Sequence, residues 1–275
     1  MDTSQPPDRQ QILAYLDRID AGDDAVRHLQ ADAQLLRVLH HKHLLAVPFE
    51  NLSIHLGEDI VLADQPLLDK IVSARRGGFC YELNGAFAVL LRALGYRVVL
   101  LQARVFGPGG KLGIPFDHLA LRVDGEDGSG PWLVDVGFGE HSHFPLALGT
   151  DREQDDPGGR FAILDAPNGD LDVHRDGKPQ YRVDLHRRDL DEFEVGAWFN
   201  RTSPASHFTR SLVCSRLTEE GRITLSGDKL VTTVNGERHE ELLGSDAEIL
   251  AAYRDHFGLV LEQVPTVRKI TFRYD

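Results

Sequence analysis

The feature that most constrains this chain is a change of hydrophobic period at Tyr96. Before it, apolar residues recur at helical spacing. In QQILAYLDRIDAG, Ile12, Leu13, Leu16 and Ile19 share one face and Gly22 reads as a stop. DAQLLRVLHHKHLLAV repeats the pattern until Pro48 breaks it. After RRGGF, Leu83, Phe87, Leu90, Leu91 and Leu94 make a third stripe, closed by Gly95. From Tyr96 onward YRVVLLQARVF, HLALRV and PWLVDVGF are short β-branched and apolar runs separated by Gly, Pro and Asp, which predicts strands and turns. GRFAILDA, LDVHRD and KPQYRVDLH continue as strands, AWFNRTSP reads as a further one, and DREQDDPGG reads as a solvated acidic loop. Beyond Phe208, RITLSGDKLVTTVNGER predicts strands with an Asn-Gly turn, and SDAEILAAYRDHFGL a helix capped by Ser245 and ended by Gly258. The expected fold is α+β: an N-terminal helical bundle over 1–95, a central antiparallel β-barrel over 96–207, and a C-terminal α/β lid over 208–275.

Composition narrows the function classes. With 275 residues, 41% hydrophobic and 27% charged, the chain can bury a sizeable core. A net charge of -13 argues against general nucleic-acid binding, which needs a basic surface. It also repels anionic ligands, so an anionic substrate would require a local basic patch. The polar opening MDTSQPPDRQ cannot be the apolar core of a signal peptide, and runs such as Val98 to Leu101 are too short to cross a bilayer. Two distant cysteines, Cys80 and Cys214, make no disulfide framework and fit a cytoplasmic setting with no membrane partner.

The chemistry concentrates in RRGGFCYELNGAF. Cys80 sits at or beside the first turn of a helix, where free N–H groups and the helix dipole favour a thiolate, and the two glycines would let backbone approach a substrate. Taken alone, such a cysteine is more often a small buried hydrophobe. A catalytic thiol needs a base, and the base an orienting group. FDHLALRV and PWLVDVGF flank the turn-rich DGEDGSG. If the hairpin closes with Val123 opposite Gly130, His118 and Asp135 face each other across the pair, while Leu119, Leu121 and Val123 take the opposite face. A structural His–Asp pair would show the same spacing.

VPFENLSIH (47–55), RRGGFCYELN (75–84), FDHLALRV (116–123), LVDVGFG (133–139) and TSPASHFTRSLVC (202–214), in that order, resemble the arylamine N-acetyltransferase family. The resemblance implies the three-part fold above and acetyl transfer from acetyl-coenzyme A, as substrate rather than bound cofactor, to arylamines, arylhydroxylamines or hydrazines. By matching positions, Cys80 would be the nucleophile, His118 the base and Asp135 the orienter, with Gly137, Ser206 and Phe208 against coenzyme A. Phe79, Phe138 and Phe208 are candidates for an apolar pocket that keeps water from a thioester, against the plainer reading of core packing. One departure is Asp117, before the histidine, where relatives often carry a small or neutral residue. Arg76 and Glu50 are read as a buried pair bracing the loop before Cys80, and Cys214 as core. Neither His40, His41 and His43 nor His141 and His143 come with a third ligand, so no metal is expected. A thiol hydrolase or amidase could use the same triad, and so could an amide synthase of natural-product assembly, while a non-catalytic binding module would keep only the fold.

Overall fold

The computed structural model describes residues 7–23 and 30–268. Three helices, Arg9–Arg18, Ala33–Ala46 and Cys80–Ala93, pack around one apolar cluster. Asp8 and Asp32 cap the first two by accepting from Gln11 N and Leu35 N, each at 2.8 Å. The Cys80 helix is buried continuously from Cys80 to Leu91, as its nearly all-apolar sequence requires. The expected stop at Gly22 falls elsewhere. The first helix ends at Arg18 because Asp20 turns left-handed, with φ +56.

The period change at Tyr96 marks the entry to eight antiparallel strands: β1 belongs to another sheet (Phe49–Glu50), and these are β2 (Arg97–Val105), β3 (His118–Asp124), β4 (Trp132–Val134), β5 (Leu146–Ala147), β6 (Gln154–Asp156), β7 (Gly159–Asp165), β8 (Leu171–Arg175) and β9 (Lys178–Val183). Their order, β5-β4-β3-β2-β9-β8-β7-β6, wraps into a nearly closed barrel. Alternation sorts the faces as expected. Leu119, Leu121 and Val123 join the helical core, whereas Ala120, with Leu101, Ala103, Leu133, Phe161, Val173 and Tyr181, fills the barrel interior.

Two segments differ from the sequence reading. DREQDDPGG contains strand β6, and it fastens the seam between β6 and β5. The Gln154 side chain donates to Ala147 O at 3.0 Å and accepts from Ala147 N at 2.7 Å, while Asp156 accepts from His143 N and Phe144 N. AWFNRTSP is not a strand: residues Glu194–Thr202 form a helix that buries Gly196, Ala197 and Asn200 and leaves Val195 and Trp198 outside. That is a helical spacing, hidden because the helix is only about two and a half turns long.

The second sheet runs β1-β10-β11-β12-β13, with β10 Cys214–Thr218, β11 Gly221–Ser226, β12 Lys229–Val234 and β13 Glu237–Leu242. Asn235 and Gly236, both at positive φ, make the expected turn between β12 and β13. The helix Asp246–Phe257, capped by Ser245 and closed by Gly258 as read, buries Ile249, Tyr253 and Phe257 against Ile223, Leu225 and Leu230. Among the described residues no helix is long and apolar enough to cross a membrane.

Candidate active site

Cys80 opens its helix, with Phe79 as the preceding cap residue. The loop that delivers it is fixed by ions. Glu50, fully buried, accepts from Arg76 at 2.9 Å and from Leu52 N at 2.6 Å, and the Glu50 N–H donates to Gly78 O at 2.9 Å. Burial opposes the Glu50 charge, but Arg76 and Lys70 outweigh it and lower its pKa. The bracing pair read from the sequence is therefore present. Glu82, which the sequence reading missed, accepts from Phe79 N at 3.2 Å and from Lys70 at 2.5 Å. Breaking a buried ion pair of this kind costs about 3–5 kcal/mol. The two glycines serve this packing rather than a substrate. A Cβ at Gly77 would lie 2.0 Å from Pro48 O, and one at Gly78 would strike the Glu82 side chain.

His118 is the first residue of β3 and Asp135 lies one past the end of β4. The register is two residues from the expected one: Val123 faces Trp132, not Gly130, because Pro131 has no N–H for the ladder and pairing starts after it. Asp135 is thus diagonal to His118 instead of directly opposite. An even shift preserves the face, and Asp135 Oδ2 accepts from His118 Nε2 at 2.7 Å. The other carboxylate oxygen accepts from Asn84 Nδ2 at 2.9 Å and Gly137 N at 3.0 Å. Asn84 stands four residues after Cys80, one helical turn along the same face, and also donates to Leu119 O at 2.6 Å while accepting from Val136 N at 2.9 Å. It ties the helix to both strands. That i, i+4 relation was available in the sequence. Gly137 permits the closeness, since a Cβ there would be 2.8 Å from Cys80 Cα.

Electrostatics follow from this arrangement. Burial works against a charged His118, but the Asp135 charge and hydrogen bond, with the neighbouring Cys80, raise its pKa to about 10. Asp135, equally buried, is held well below the usual carboxylate range by His118, His141 and Asn84. Because an ionised carboxylate only accepts, Nε2 of His118 carries the proton toward Asp135, and Nδ1 is left for the thiol. Behind them, the Tyr181 ring packs on His118 and its hydroxyl sits 3.1 Å from His141 Nε2. His141 Nδ1 accepts from Ser142 N at 2.7 Å, so its Nε2–H donates to Tyr181. Burial lowers the His141 pKa to about 4.

Cys80, His118, Gly137, Phe138, Ser206 and Phe208 share the wall of one cavity of about 900 Å³ with Phe49, Phe199, Asn200 and Asp117. Phe79 is not on that wall; it is buried behind it, edge-on to Tyr81 and Phe208. Ser206 is committed internally, its Oγ donating to Asn200 Oδ1 at 2.9 Å and accepting from Phe208 N. Arg104, Lys111, His207 and Arg210 add positive or protonatable groups to the lining. The segment before His118 is held by Tyr81, whose hydroxyl meets Phe116 O at 2.7 Å and Asp117 O at 3.0 Å and keeps Phe116 at φ +57. Among the described residues, no group of His, Cys, Asp or Glu is arranged to hold a metal.

Residues 32–266 match the model of a family described as N-acetyltransferase. The arylamine N-acetyltransferase of Escherichia coli is 34% identical over 232 residues, covering 82% of this chain and 81% of the relative. The chain belongs to the arylamine N-acetyltransferase family. The family's Mycobacterium tuberculosis member is 32% identical over 256 residues, covering 90% of this chain and 89% of its own length. A solved Mycobacterium marinum member, in complex with CoA, superposes with a TM-score of 0.81 at 32% identity, covering 90% of this chain and 92% of that one. The α+β architecture of this family is therefore the architecture of this chain.

Proposed function

We propose that this protein moves an acetyl group from acetyl-coenzyme A to the nitrogen, or N-hydroxy oxygen, of arylamines, hydrazines or arylhydroxylamines, by double displacement through acetyl-Cys80. One observation carries the reading: the Cys80 thiol and the His118 imidazole share one cavity wall, and the Asp135 carboxylate accepts from His118 behind it at 2.7 Å. His118 Nδ1 takes the thiol proton, and Asp135 compensates the imidazolium. The thiolate attacks the thioester carbonyl and an S–C bond forms. Coenzyme A leaves with the proton from His118, leaving acetyl-Cys80. The amine then attacks this second thioester, its proton passes to His118, and collapse returns the proton to Cys80 as the amide departs. The first-turn N–H groups of the Cys80 helix are suited to receive the oxyanion.

Phe49, Phe138, Phe199 and Phe208 make the cavity wall apolar, which would keep water from the acyl-enzyme. Gly137, Ser206 and Phe208 would contact coenzyme A, and Arg104, Lys111 and Arg210 would offset the net charge of -13 for its phosphates. Two free cysteines fit a cytoplasmic setting. The test is intact mass after exposure to acetyl-coenzyme A without acceptor. One acetyl group should appear on Cys80, persist, and discharge when an arylamine or hydrazine is added. Acetate released regardless of amine, with no lasting adduct, would indicate a hydrolase. Coenzyme A bound without labelling would indicate a binding module.

A further inference from the structure

Asp117 lines the cavity that holds Cys80 and His118. Its surroundings leave it poorly partnered. Asn200 Nδ2 lies at 3.5 Å from Oδ1, the outer limit for a hydrogen bond, and Val105 N–H supplies another contact. A carboxylate can accept about four hydrogen bonds. The positive charges that act on it are those of His118 and Arg104. His118 is bound to Asp135 at 2.7 Å, and Arg104 Nε is committed to Gly113 O at 2.9 Å. The carboxylate is not misplaced. Oδ2 rests against Gly113, where a Cβ would lie only 2.2 Å away, so the loop before β3 is shaped around it. The Asp117 carbonyl is held by Tyr81 at 3.0 Å, and Asn200 is anchored in turn by Tyr81 and Ser206. A fixed carboxyl with few protein donors, one residue before the candidate base, thus faces a cavity with aromatic walls.

We infer that Asp117 is a specificity-determining residue that selects acceptor amines carrying a second, cationic group and disfavours acceptors carrying a carboxylate. The inference rests on the acetyl-transfer reading above. In double displacement the cavity is vacated by coenzyme A before the acceptor enters, so the acceptor's own substituent meets this carboxylate. A protonated aminoalkyl arm would supply further donors, and a carboxylate would oppose a like charge on the same cavity wall.

The experiment compares 4-(2-aminoethyl)aniline, aniline and 4-aminobenzoate as acceptors at pH 8. The wild type should favour the cationic over the anionic acceptor in kcat/KM by at least about tenfold. Asp117→Asn, which keeps the side chain's shape, should shrink that ratio by about tenfold. A purely structural residue would change all three together. A second readout needs no acetyl transfer: alkylation of Cys80 by iodoacetate relative to iodoacetamide should rise about fivefold in Asp117→Asn. An unchanged acceptor ratio in an active variant, or a wild type that prefers 4-aminobenzoate, overturns the inference. If no amine is acetylated, the acetyl-transfer reading fails, and the alkylation ratio still decides whether Asp117 sets the charge selectivity of the cavity.

Discussion

Cys80 and Cys214 are both free and both buried, at 3% and 0% exposure, yet they sit in opposite company. Cys80 starts a helix, touches a cavity and meets His118. Cys214 starts β10 between Glu50 of β1 and Leu225 of β11, packed with Leu212 and Tyr253. There burial, with the Glu50 charge, pushes the thiol pKa well above its ordinary value. The histidines repeat the contrast. His118 is held charged by a carboxylate, whereas His40, His43 and His141 are equally buried and held neutral. Burial by itself makes these groups inert; a placed counter-charge makes one of each type useful.

The strongest way to break the comparison is to exchange the residues. Cys80→Ser and His118→Ala should each lower kcat/KM by roughly 10³-fold or more, and Asp135→Asn by on the order of 10²–10⁴-fold with the fold retained. In Asp135→Asn an amide N–H can face His118 Nε2, which drives the ring proton onto Nδ1 and disables the base. Cys214→Ser should stay within about twofold of wild type in steady-state rates, because that thiol meets no base. Equal losses at both cysteines would erase the distinction.

A smaller effect should appear in limited alkylation. Iodoacetamide near pH 7 should modify Cys80 before Cys214 by on the order of 10²-fold, read by peptide mapping. Equal labelling, or Cys214 first, would show that the base confers no advantage.

Smallest per pH unit is the pH dependence of stability. His40 and His141 have pKa values lowered to about 4 by burial, and His43 lies well below its ordinary value. As pH falls from about 6.5 toward 4, the unfolded chain takes up protons that the folded chain refuses, so each group should remove up to about 1.4 kcal/mol per pH unit. His118 has the opposite sign. Its folded pKa is raised, so its contribution is complete below about 6.5 and is lost as pH rises toward 10. Urea titrations from pH 4 to 8 should show a steep acid limb, and a flat one would mean that these imidazoles are protonated in the folded state.

The candidate site was largely legible because its chemistry is carried by short local patterns: a glycine-led cysteine before a helical stripe, and a His and an Asp in alternating strands. The diagonal placement of Asp135 was not legible, since Pro131 shifts the ladder by two residues without changing its face. Tyr181 and His141 reach the site only through barrel closure, which no local period encodes. DREQDDPGG reads as solvated because three strand residues carry too little alternation to outweigh four acidic side chains and a Pro-Gly-Gly. The helix over 194–202 was similarly too short for its period to stand out.

That acidic segment also changes what kind of object the barrel is. Strands β5 and β6 are the two ends of the eight-stranded order, so seven main-chain ladders hold the wall and the last joint is made by Gln154 and Asp156. In mechanical language it is a split ring with a clasp, not a hoop. No single side-chain change can remove a ladder, whose bonds belong to the backbone. One substitution at position 154, however, removes both of its bonds to Ala147. A residue that holds the wall closed therefore lies in the stretch whose sequence reads as a solvated acidic loop.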